Sequence, residues 1–469
     1  MARLIIIGAG PGGYETAVEA AAKGLEVTLV TDGPLGGTCL NEGCIPTKAL
    51  CRAAALHDDI LRAGEFGIRA SLDGVDFPAV MARKDAVVEQ LRGGIATLLK
   101  KVNVVEGRAS LVDAHTVDVV PSCHTEGPVP SCHTEGPEGP SVSHTRLEAE
   151  YIILATGSVS ASLPIEGAEL CITSNEALEF TSVPPSMVVI GGGVIGLELA
   201  SVYCSFGCDV TVVEYCKNIL PRFDDDISKR LKQSLVKRGI KIETSAQVQA
   251  VRKAPGGGYS VSYLQKDKEC SVEGSVVLMA VGRRPNTDSL NLADLGIEFG
   301  RRGVAVNGYM QTNIPSVYAI GDLVGGMMLA HAATFHGKRA LNHILAGQPS
   351  SGEVDGIDLS LVPAAVFTVP EAGCVGLTEA ECEGREIRVL KSFFRANGKA
   401  IAMGEPDGFC KMIVDASTDR ILGCHMFGAE SSILIQEISA LMAMHATLGQ
   451  FRSVIHAHPT LSEVLQALA

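Results

Sequence analysis

Two cysteines stand five positions apart in Gly36-Gly37-Thr38-Cys39-Leu40-Asn41-Glu42-Gly43-Cys44-Ile45-Pro46-Thr47-Lys48. Such a pair can be zinc ligands, a redox disulfide, or two unrelated core thiols. The other close pair, Cys204 and Cys208, lies inside a nucleotide-type unit described below, which counts against a shared zinc. In an ideal helix, residues five apart have Cα atoms about 8–9 Å apart, and a disulfide needs less than about 7 Å. A Cys39–Cys44 bridge therefore requires an irregular turn, which Gly43 and Pro46 are suited to provide. A short, exposed, strained loop disulfide is the labile kind used in exchange.

Exchange also needs a base, because the thiolate is the nucleophile. Late in the chain stands His456-Ala457-His458-Pro459-Thr460-Leu461-Ser462-Glu463. Imidazole titrates in the useful range. Glu463, five residues beyond His458 across the Pro459 turn, can fix its tautomer and raise its basicity. Taken alone, a histidine in this setting is more often structural than catalytic.

The elements that would position these groups repeat one grammar. An apolar run, Leu4-Ile5-Ile6-Ile7, leads into Gly8-Ala9-Gly10-Pro11-Gly12-Gly13, a helical pattern over Tyr14 to Lys23, and the apolar Val27-Thr28-Leu29-Val30. From Gly8 to Gly191, 183 positions on, Met187-Val188-Val189-Ile190 leads into Gly191-Gly192-Gly193-Val194-Ile195-Gly196, a helical Leu197 to Ser205, and Val210-Thr211-Val212-Val213. Each reads as a βαβ unit with a GxGxxG turn. The first two glycines let the backbone approach a pyrophosphate, the third lets helix and strand pack closely, and the helix N-terminus attracts the anion. A single such turn is weak; two in βαβ context imply two dinucleotides. Glu214, 18 residues beyond Gly196, ends its strand where a carboxylate accepts from a free ribose 2′-hydroxyl, favouring NAD over NADP. The same count from Gly13 reaches Thr31, with Asp32 one step further as a substitute.

The rest of the chain sets bounds. At 469 residues, about three domains are expected. With 53 acidic against 39 basic residues the formal charge is −14, and no Lys/Arg cluster dense enough to track phosphates appears, which argues against nucleic-acid binding. Fourteen cysteines are too sparse for a disulfide scaffold. Met1 to Ile7 runs into Gly8 without an apolar leader or cleavage site, so a soluble, reducing, cytoplasmic setting is expected. Met187 to Cys204 is apolar but holds four glycines and Glu198, a poor membrane span. The sequence Val120-Pro121-Ser122-Cys123-His124-Thr125-Glu126-Gly127-Pro128 recurs unchanged over Val129 to Pro137, and Pro, Gly and Ser continue to about His144. It has almost nothing to bury and reads as a flexible surface insertion; adjacent Cys-His pairs at this spacing match no common zinc pattern, so no metal is expected. From about Leu359, β-rich runs at Leu361 to Val366, Ile387 to Lys391 and Lys411 to Asp415 and a helical run near Ile433 to Ala446 read as an α+β domain.

The Cys39–Cys44 stretch, the paired glycine turns and the His456-to-Glu463 segment together resemble the pyridine nucleotide–disulfide oxidoreductases. The resemblance extends to Ala155-Thr156-Gly157, Gly282-Arg283-Arg284-Pro285-Asn286, Thr312 with Ala319-Ile320-Gly321-Asp322, Leu329-Ala330-His331-Ala332 and Thr368-Val369-Pro370-Glu371. It covers nearly the whole chain apart from the Cys-His repeat. It implies an α/β fold with two Rossmann-like dinucleotide-binding domains and a C-terminal α+β dimerisation domain. The divisions are 1–157 for FAD, with the insertion at about 120–144, then 158–281 for NAD, 282–350 completing the FAD site, and 351–469 for the interface.

Carried over residue by residue, the resemblance implies FAD at Gly8, Gly10 and Gly13, with Asp32, Thr38, Lys48, Thr156, Gly157 and Ala330 around it and Asp322 on its ribitol chain. NAD would lie at Gly191, Gly193 and Gly196, with Glu214 and Gly282. Cys39 would meet substrate and Cys44 would face the flavin, near a Lys48–Glu198 pair. His458, oriented by Glu463, would be the acid–base group for the disulfide of the other subunit, so the enzyme would be an obligate homodimer.

Within the family, the closest match acts on the dithiol of protein-borne lipoyl groups, carried on acyltransferase cores or the glycine-cleavage carrier, and passes hydride to NAD. The nearest competitor is a glutathione-reductase-like activity, but NADP users place arginines where this chain has Tyr215 and Pro221. Mercuric and large thioredoxin reductases add a C-terminal redox cysteine pair, whereas the last cysteine here is Cys424. Soluble transhydrogenases lack the first active-site cysteine, which Cys39 supplies. A flavoprotein kept only as a scaffold would not need Cys39, Cys44, His458 and Glu463 together. One departure stands inside the site: Glu42 occupies a place that is usually apolar.

Overall fold

The computed structural model describes residues 2–121 and 144–468, in two compact units. The first gathers Met1–Ile45, Val87–Val159 and Arg283–Leu359; the second gathers Pro46–Ala86, Ser160–Gly282 and Ser360–Ala469.

In the first unit the strand Arg3–Ile7 is the middle of a five-stranded parallel sheet. The order is Val317–Ala319, Tyr151–Leu154, Arg3–Ile7, Glu26–Thr31, Asn103–Glu106. A parallel sheet is covered on both faces, which is why Leu4 to Ile7 is apolar without alternation. Leu4 and Ile6 join Leu29 and Ile153 in one core, and Ile5 and Ile7 join Val30 and Ile152 in another. The second core is closed by the antiparallel strands Arg108–Leu111, Thr116–Val120 and Thr145–Glu148, through Ala109, Leu111, Val117 and Val119. The Cys-His repeat falls in 122–143, outside the described residues, between the last two of these paired strands.

The second unit repeats the arrangement. Its parallel sheet runs Lys241–Thr244, Asp209–Glu214, Ser186–Ile190, Val276–Met279. The strands Ala246–Lys253, Tyr259–Gln265 and Lys268–Gly274 cover the Val188 and Ile190 face. A five-stranded antiparallel sheet follows, Ala364–Val366, Glu371–Gly376, Ile421–Gly428, Phe409–Asp415, Ile387–Phe393. The helix Ser431–Ala443 packs on it through Leu434, Ile435, Ile438 and Met442.

Both nucleotide-type helices begin earlier than their apolar periodicity suggests, at Pro11–Ala22 and Val194–Ser205, because each glycine turn passes straight into the first helical residue. The late helix ends at Ala443 and not near Ala446, because His445 takes a left-handed backbone conformation, φ 55°. The run from Leu361 is a strand only over Ala364–Val366, since Pro363 has no N–H for a ladder.

One ion cluster ties the second unit together. Lys411 on the strand Phe409–Asp415 is 2% exposed, and its Nζ lies 2.8 Å from Asp224, 3.2 Å from Asp226 and 2.5 Å from Glu379. Asp224 also caps the helix Asp225–Lys237, accepting from the Asp226 N–H. Burial works against the Asp224 charge, yet Lys411 holds its carboxyl below the usual range; Asp226 is likewise held low, first by Lys391. Carboxylates depressed in the folded state contribute stability above their unfolded pKa of about 3.9, and that stability is lost as pH falls through the lower folded values. Lys411→Met leaves Asp224 buried and unpaired and is expected to cost about 3–5 kcal/mol at neutral pH in urea unfolding. The deficit should shrink below about pH 4; a pH-independent loss would mean that the cluster is not what holds these strands.

Candidate active site

Cys39 lies in the short helix Gly37–Asn41, and Cys44 opens the long helix Cys44–Arg62. The helical path breaks between them. Glu42 has φ −137° and ψ 19°, with its N–H donating to the Thr38 carbonyl at 2.9 Å. A Cβ on Gly43 would lie 2.9 Å from that carbonyl oxygen and 3.5 Å from the Cys39 Cα, so only glycine lets the chain pass so close to Cys39. The irregular turn expected between the cysteines is present. Cys39 is half-buried and Cys44 exposed.

Two residues overlooked by the sequence reading brace this turn. Asn41 Nδ2 donates to the Gly37 and Leu35 carbonyls at 2.8 and 3.1 Å, while its Oδ1 accepts from Arg92 at 2.8 and 3.1 Å. A third, Arg283, carries charge to it. Burial pulls this guanidinium below its usual value, opposed in turn by Asp322, Cys44 and Glu42. Arg283 Nε donates to Ser158 Oγ at 2.7 Å, and Ser158 Oγ donates to Asp322 Oδ2 at 2.5 Å. Asp322 sits in the turn Gly321–Val324, which His336 Nδ1 holds by accepting the Gly321 N–H at 3.2 Å. Burial pulls the His336 pKa down, keeping that nitrogen available as an acceptor. Their separation in the chain hid these partners; only the Arg283 motif was visible.

Of the remaining residues expected at FAD, Thr38, Asp32, Thr156, Gly157 and Ala330 belong to the same unit, and Lys48 belongs to the second. Thr156 Oγ1 donates to the Asn286 carbonyl at 2.7 Å, and the Asn286 N–H donates to Gly157 at 2.9 Å. Ala330 opens the helix Ala330–Leu345. Thr38 stands beside Cys39 on its helix. Asp32 accepts from Arg108 at 3.0 Å, and Thr31 turns inward to donate to the Gly33 carbonyl at 2.8 Å.

Both glycine turns fit a dinucleotide. A Cβ on Gly13 would lie 1.8 Å from the Gly8 carbonyl oxygen, and one on Gly196 would lie 2.2 Å from that of Gly191. Each turn is thus drawn tightly under the first residues of its helix, with Gly10 and Gly193 as N-caps, where an anion is favoured. At the second turn Glu214 accepts the Gly192 and Cys216 N–H groups at 2.5 and 2.6 Å, which fixes its carboxylate against the glycine turn. Gly282 lies beyond the neighbouring strand Val276–Met279.

Glu198, on the helix Val194–Ser205 and 4% exposed, accepts from Lys48 Nζ at 2.8 Å and from the Phe367 N–H at 3.0 Å. The same ammonium stands 4.5 Å over the Phe367 ring. His458 Nδ1 is 2.9 Å from Glu463 Oε1, and Glu463 Oε2 accepts the Thr460 N–H at 3.0 Å. The carboxylate requires the proton on Nδ1, leaving Nε2 as the basic nitrogen of a side chain 79% exposed. His458 and the Thr460 N–H hold Glu463 below the usual carboxylate range. Among the described residues, no group of three or more His, Cys, Asp or Glu is arranged to hold a metal ion, and no helix is long and apolar enough to cross a membrane.

The family model for pyridine nucleotide-disulphide oxidoreductase matches residues 2–337, and that for its dimerisation domain matches 362–469. The chain belongs to this family. Dihydrolipoyl dehydrogenase of Bacillus subtilis (strain 168) is 39% identical, over 99% of this chain and 95% of that one. The protein of the same name from Halobacterium salinarum is 38% identical, over 99% and 94%. Among solved structures, the HOCl-induced flavoprotein disulfide reductase RclA from Escherichia coli superposes with a TM-score of 0.82 at 28% identity, covering 99% of both chains. The two nucleotide-type units and the C-terminal α+β domain are those of the family.

Glu42 disfavours a thiolate beside it, and Arg283 favours one. Glu42→Val is therefore expected to make the potential of the Cys39/Cys44 couple less negative by roughly 10–20 mV. Arg283→Gln should move it the other way. Equilibration in thiol redox buffers with mass readout of the two cysteines measures both, and unchanged potentials would remove the electrostatic argument.

Proposed function

We propose that this chain is a dihydrolipoyl dehydrogenase, oxidising protein-bound dihydrolipoamide to lipoamide and passing the electron pair to NAD+. The observation that carries it is the broken turn at residues 42–43, which sets one cysteine at the end of a short helix and the other at the start of a long one. Full-length similarity to dihydrolipoyl dehydrogenases supports the substrate class.

In this reading Nε2 of His458 takes the proton of one dihydrolipoyl thiol, and Glu463 stabilises the imidazolium that forms. The thiolate attacks Cys39 Sγ of a Cys39–Cys44 disulfide, so the Cys39–Cys44 bond breaks and Cys44 leaves as thiolate. The second substrate thiol then expels Cys39 and closes the lipoyl disulfide. His458 gives its first proton to the Cys39 sulfur and takes the proton of this second thiol, which leaves Cys39 as thiol, Cys44 as thiolate and His458 as imidazolium. Arg283 lies where it favours the Cys44 thiolate. FAD, held at Gly8, Gly10, Gly13, Thr38, Lys48, Thr156, Gly157, Asp322, Ala330 and Asp32, when bound supplies the link between thiol and hydride chemistry, with NAD at Gly191, Gly193, Gly196, Glu214 and Gly282. Lys48, on the helix that begins at Cys44, keeps a charged, ordered pair with Glu198 on the helix Val194–Ser205.

The same reading divides the chain into 1–157, 158–281, 282–350 and 351–469, and makes the working unit a homodimer in which His458 serves the partner's disulfide. The dimerisation domain leaves Ile433, Met444, Val454 and Ile455 exposed, as a face to be covered by a second copy. The lipoyl group would arrive on an acyltransferase core or on a glycine-cleavage carrier. Among the described residues, the ten cysteines outside the pair are thiols, which suits a reducing cytoplasm.

The deciding assay compares NAD-dependent oxidation of dihydrolipoamide with NADPH-dependent reduction of glutathione disulfide on one preparation. Activity in the first is expected; activity only in the second overturns substrate and cofactor together. His458→Gln should lower dihydrolipoamide turnover by about 10²–10⁴-fold while sparing NADH-dependent reduction of ferricyanide, which needs no thiol chemistry.

A further inference from the structure

The stretch from Arg452 to Pro459 is exposed at every residue but one. Among the described residues, no backbone N–H of 455–458 donates a hydrogen bond, and the Ala457 carbonyl accepts from the neighbouring Thr460 Oγ1 at 2.7 Å, so the main chain around His458 is tied only locally. The exception is His456, whose side chain is 4% exposed. Its Nε2 lies 2.8 Å from Glu437 Oε1 on the helix Ser431–Ala443, and its ring meets Phe451 edge-on, with centroids 5.8 Å apart and planes at 82°. Its Nδ1 is buried and, among the described residues, has no hydrogen-bond partner. An orphaned buried nitrogen costs about 1–3 kcal/mol, which an apolar ring at this place would avoid. The residue is therefore poorly explained as packing alone.

We propose that His456 and Glu437 form a positioning pair that anchors segment 452–459 to the helix Ser431–Ala443 within its own subunit and so presents His458, already oriented by Glu463, for proton transfer. Among the described residues, the part-buried imidazole–carboxylate bond ties the stretch between Phe451 and Thr460 to another helix, whereas the bond from Thr460 Oγ1 to the Ala457 carbonyl is local and exposed. Only Ala457 separates the anchor from His458, so loss of the anchor frees the backbone that sets the His458 Nδ1 to Glu463 contact at 2.9 Å. The electrostatics agree. Glu463 is held low by His458 and the Thr460 N–H, with His456 adding to the effect. Glu437 also faces Cys424 on the strand Ile421–Gly428, whose thiol is pushed up by Cys410, by burial and by Glu437. The inference rests on the dithiol-oxidising reading above.

The test uses the full-length, flavin-loaded dimer with three variants. His456→Phe keeps the ring against Phe451 and removes the bond; His456→Gln keeps a donor for Glu437; Glu437→Gln removes the carboxylate from the other side. His456→Phe and Glu437→Gln are expected to lower kcat for dihydrolipoamide by about ten- to a hundredfold, with KM little changed. They should also shift the acid limb of the kcat/KM–pH profile to lower pH, since a displaced Glu463 no longer favours the imidazolium. NADH–ferricyanide turnover should stay at the parent level, and His456→Gln should recover most of the lost kcat. Parent-like kcat and pH profiles in both disruptive variants overturn the proposal. So does a fall of dihydrolipoamide and ferricyanide activities together, which marks a general structural role. Absence of dihydrolipoamide oxidation in the parent enzyme would instead overturn the functional reading, before any variant is compared.

Discussion

A carboxylate buried at Glu198 can remain ionised only where a cation and a hydrogen-bond donor reach it together. Lys48 and the Phe367 N–H, from segments 150 and 169 residues away in the chain, take one oxygen each. Removing either partner of such a pair leaves an uncompensated buried charge, at about 3–5 kcal/mol. The helix that begins at Cys44, the helix behind the second glycine turn and the segment entering the dimerisation domain are therefore obliged to meet in one arrangement. The surroundings sharpen this demand. Burial raises the Glu371 carboxyl, against the Ser432 N–H, with Glu430 and Glu198 raising it further, and burial followed by Glu198 pushes the Cys51 thiol up to about 12. Lys48 supplies the cation that Glu198 needs there.

The two glycine turns show how little sequence a dinucleotide site requires and where specificity enters. In both, the third glycine is pressed against the carbonyl of the first, and the helix starts at once. They differ at the strand end. Glu214 is pinned by two backbone N–H groups, one of them from the glycine turn itself, so the carboxylate and the turn form a single rigid edge. At the first turn Thr31 folds back on Gly33 and Asp32 pairs with Arg108, so the two strand ends present different chemistry.

What was legible in the sequence is what depends on neighbours in the chain. The strand–turn–helix units were plain because parallel strands are apolar throughout and because only glycine permits the close approaches. The break between Cys39 and Cys44 followed from helix geometry, and the His458–Glu463 contact from a short spacing. What stayed hidden depends on partners far apart: Arg92 bracing Asn41, His336 holding the turn of Asp322, Arg283 reaching toward Cys44, Lys411 gathering carboxylates across 185 and 187 positions. No periodicity announces such pairs. His456 was visible yet unread, because a histidine beside a candidate acid–base histidine looks redundant until its burial and its partner on another helix are known.

The most direct measurement is thiol mapping after reduction by one equivalent of dihydrolipoamide per chain, without nicotinamide, followed by brief alkylation and peptide mass analysis. Thiol–disulfide exchange at this turn requires that the newly labelled sulfurs be Cys39 and Cys44 and no other cysteine. New label on any of the ten remaining described cysteines, or none at all on Cys39 and Cys44, would contradict it.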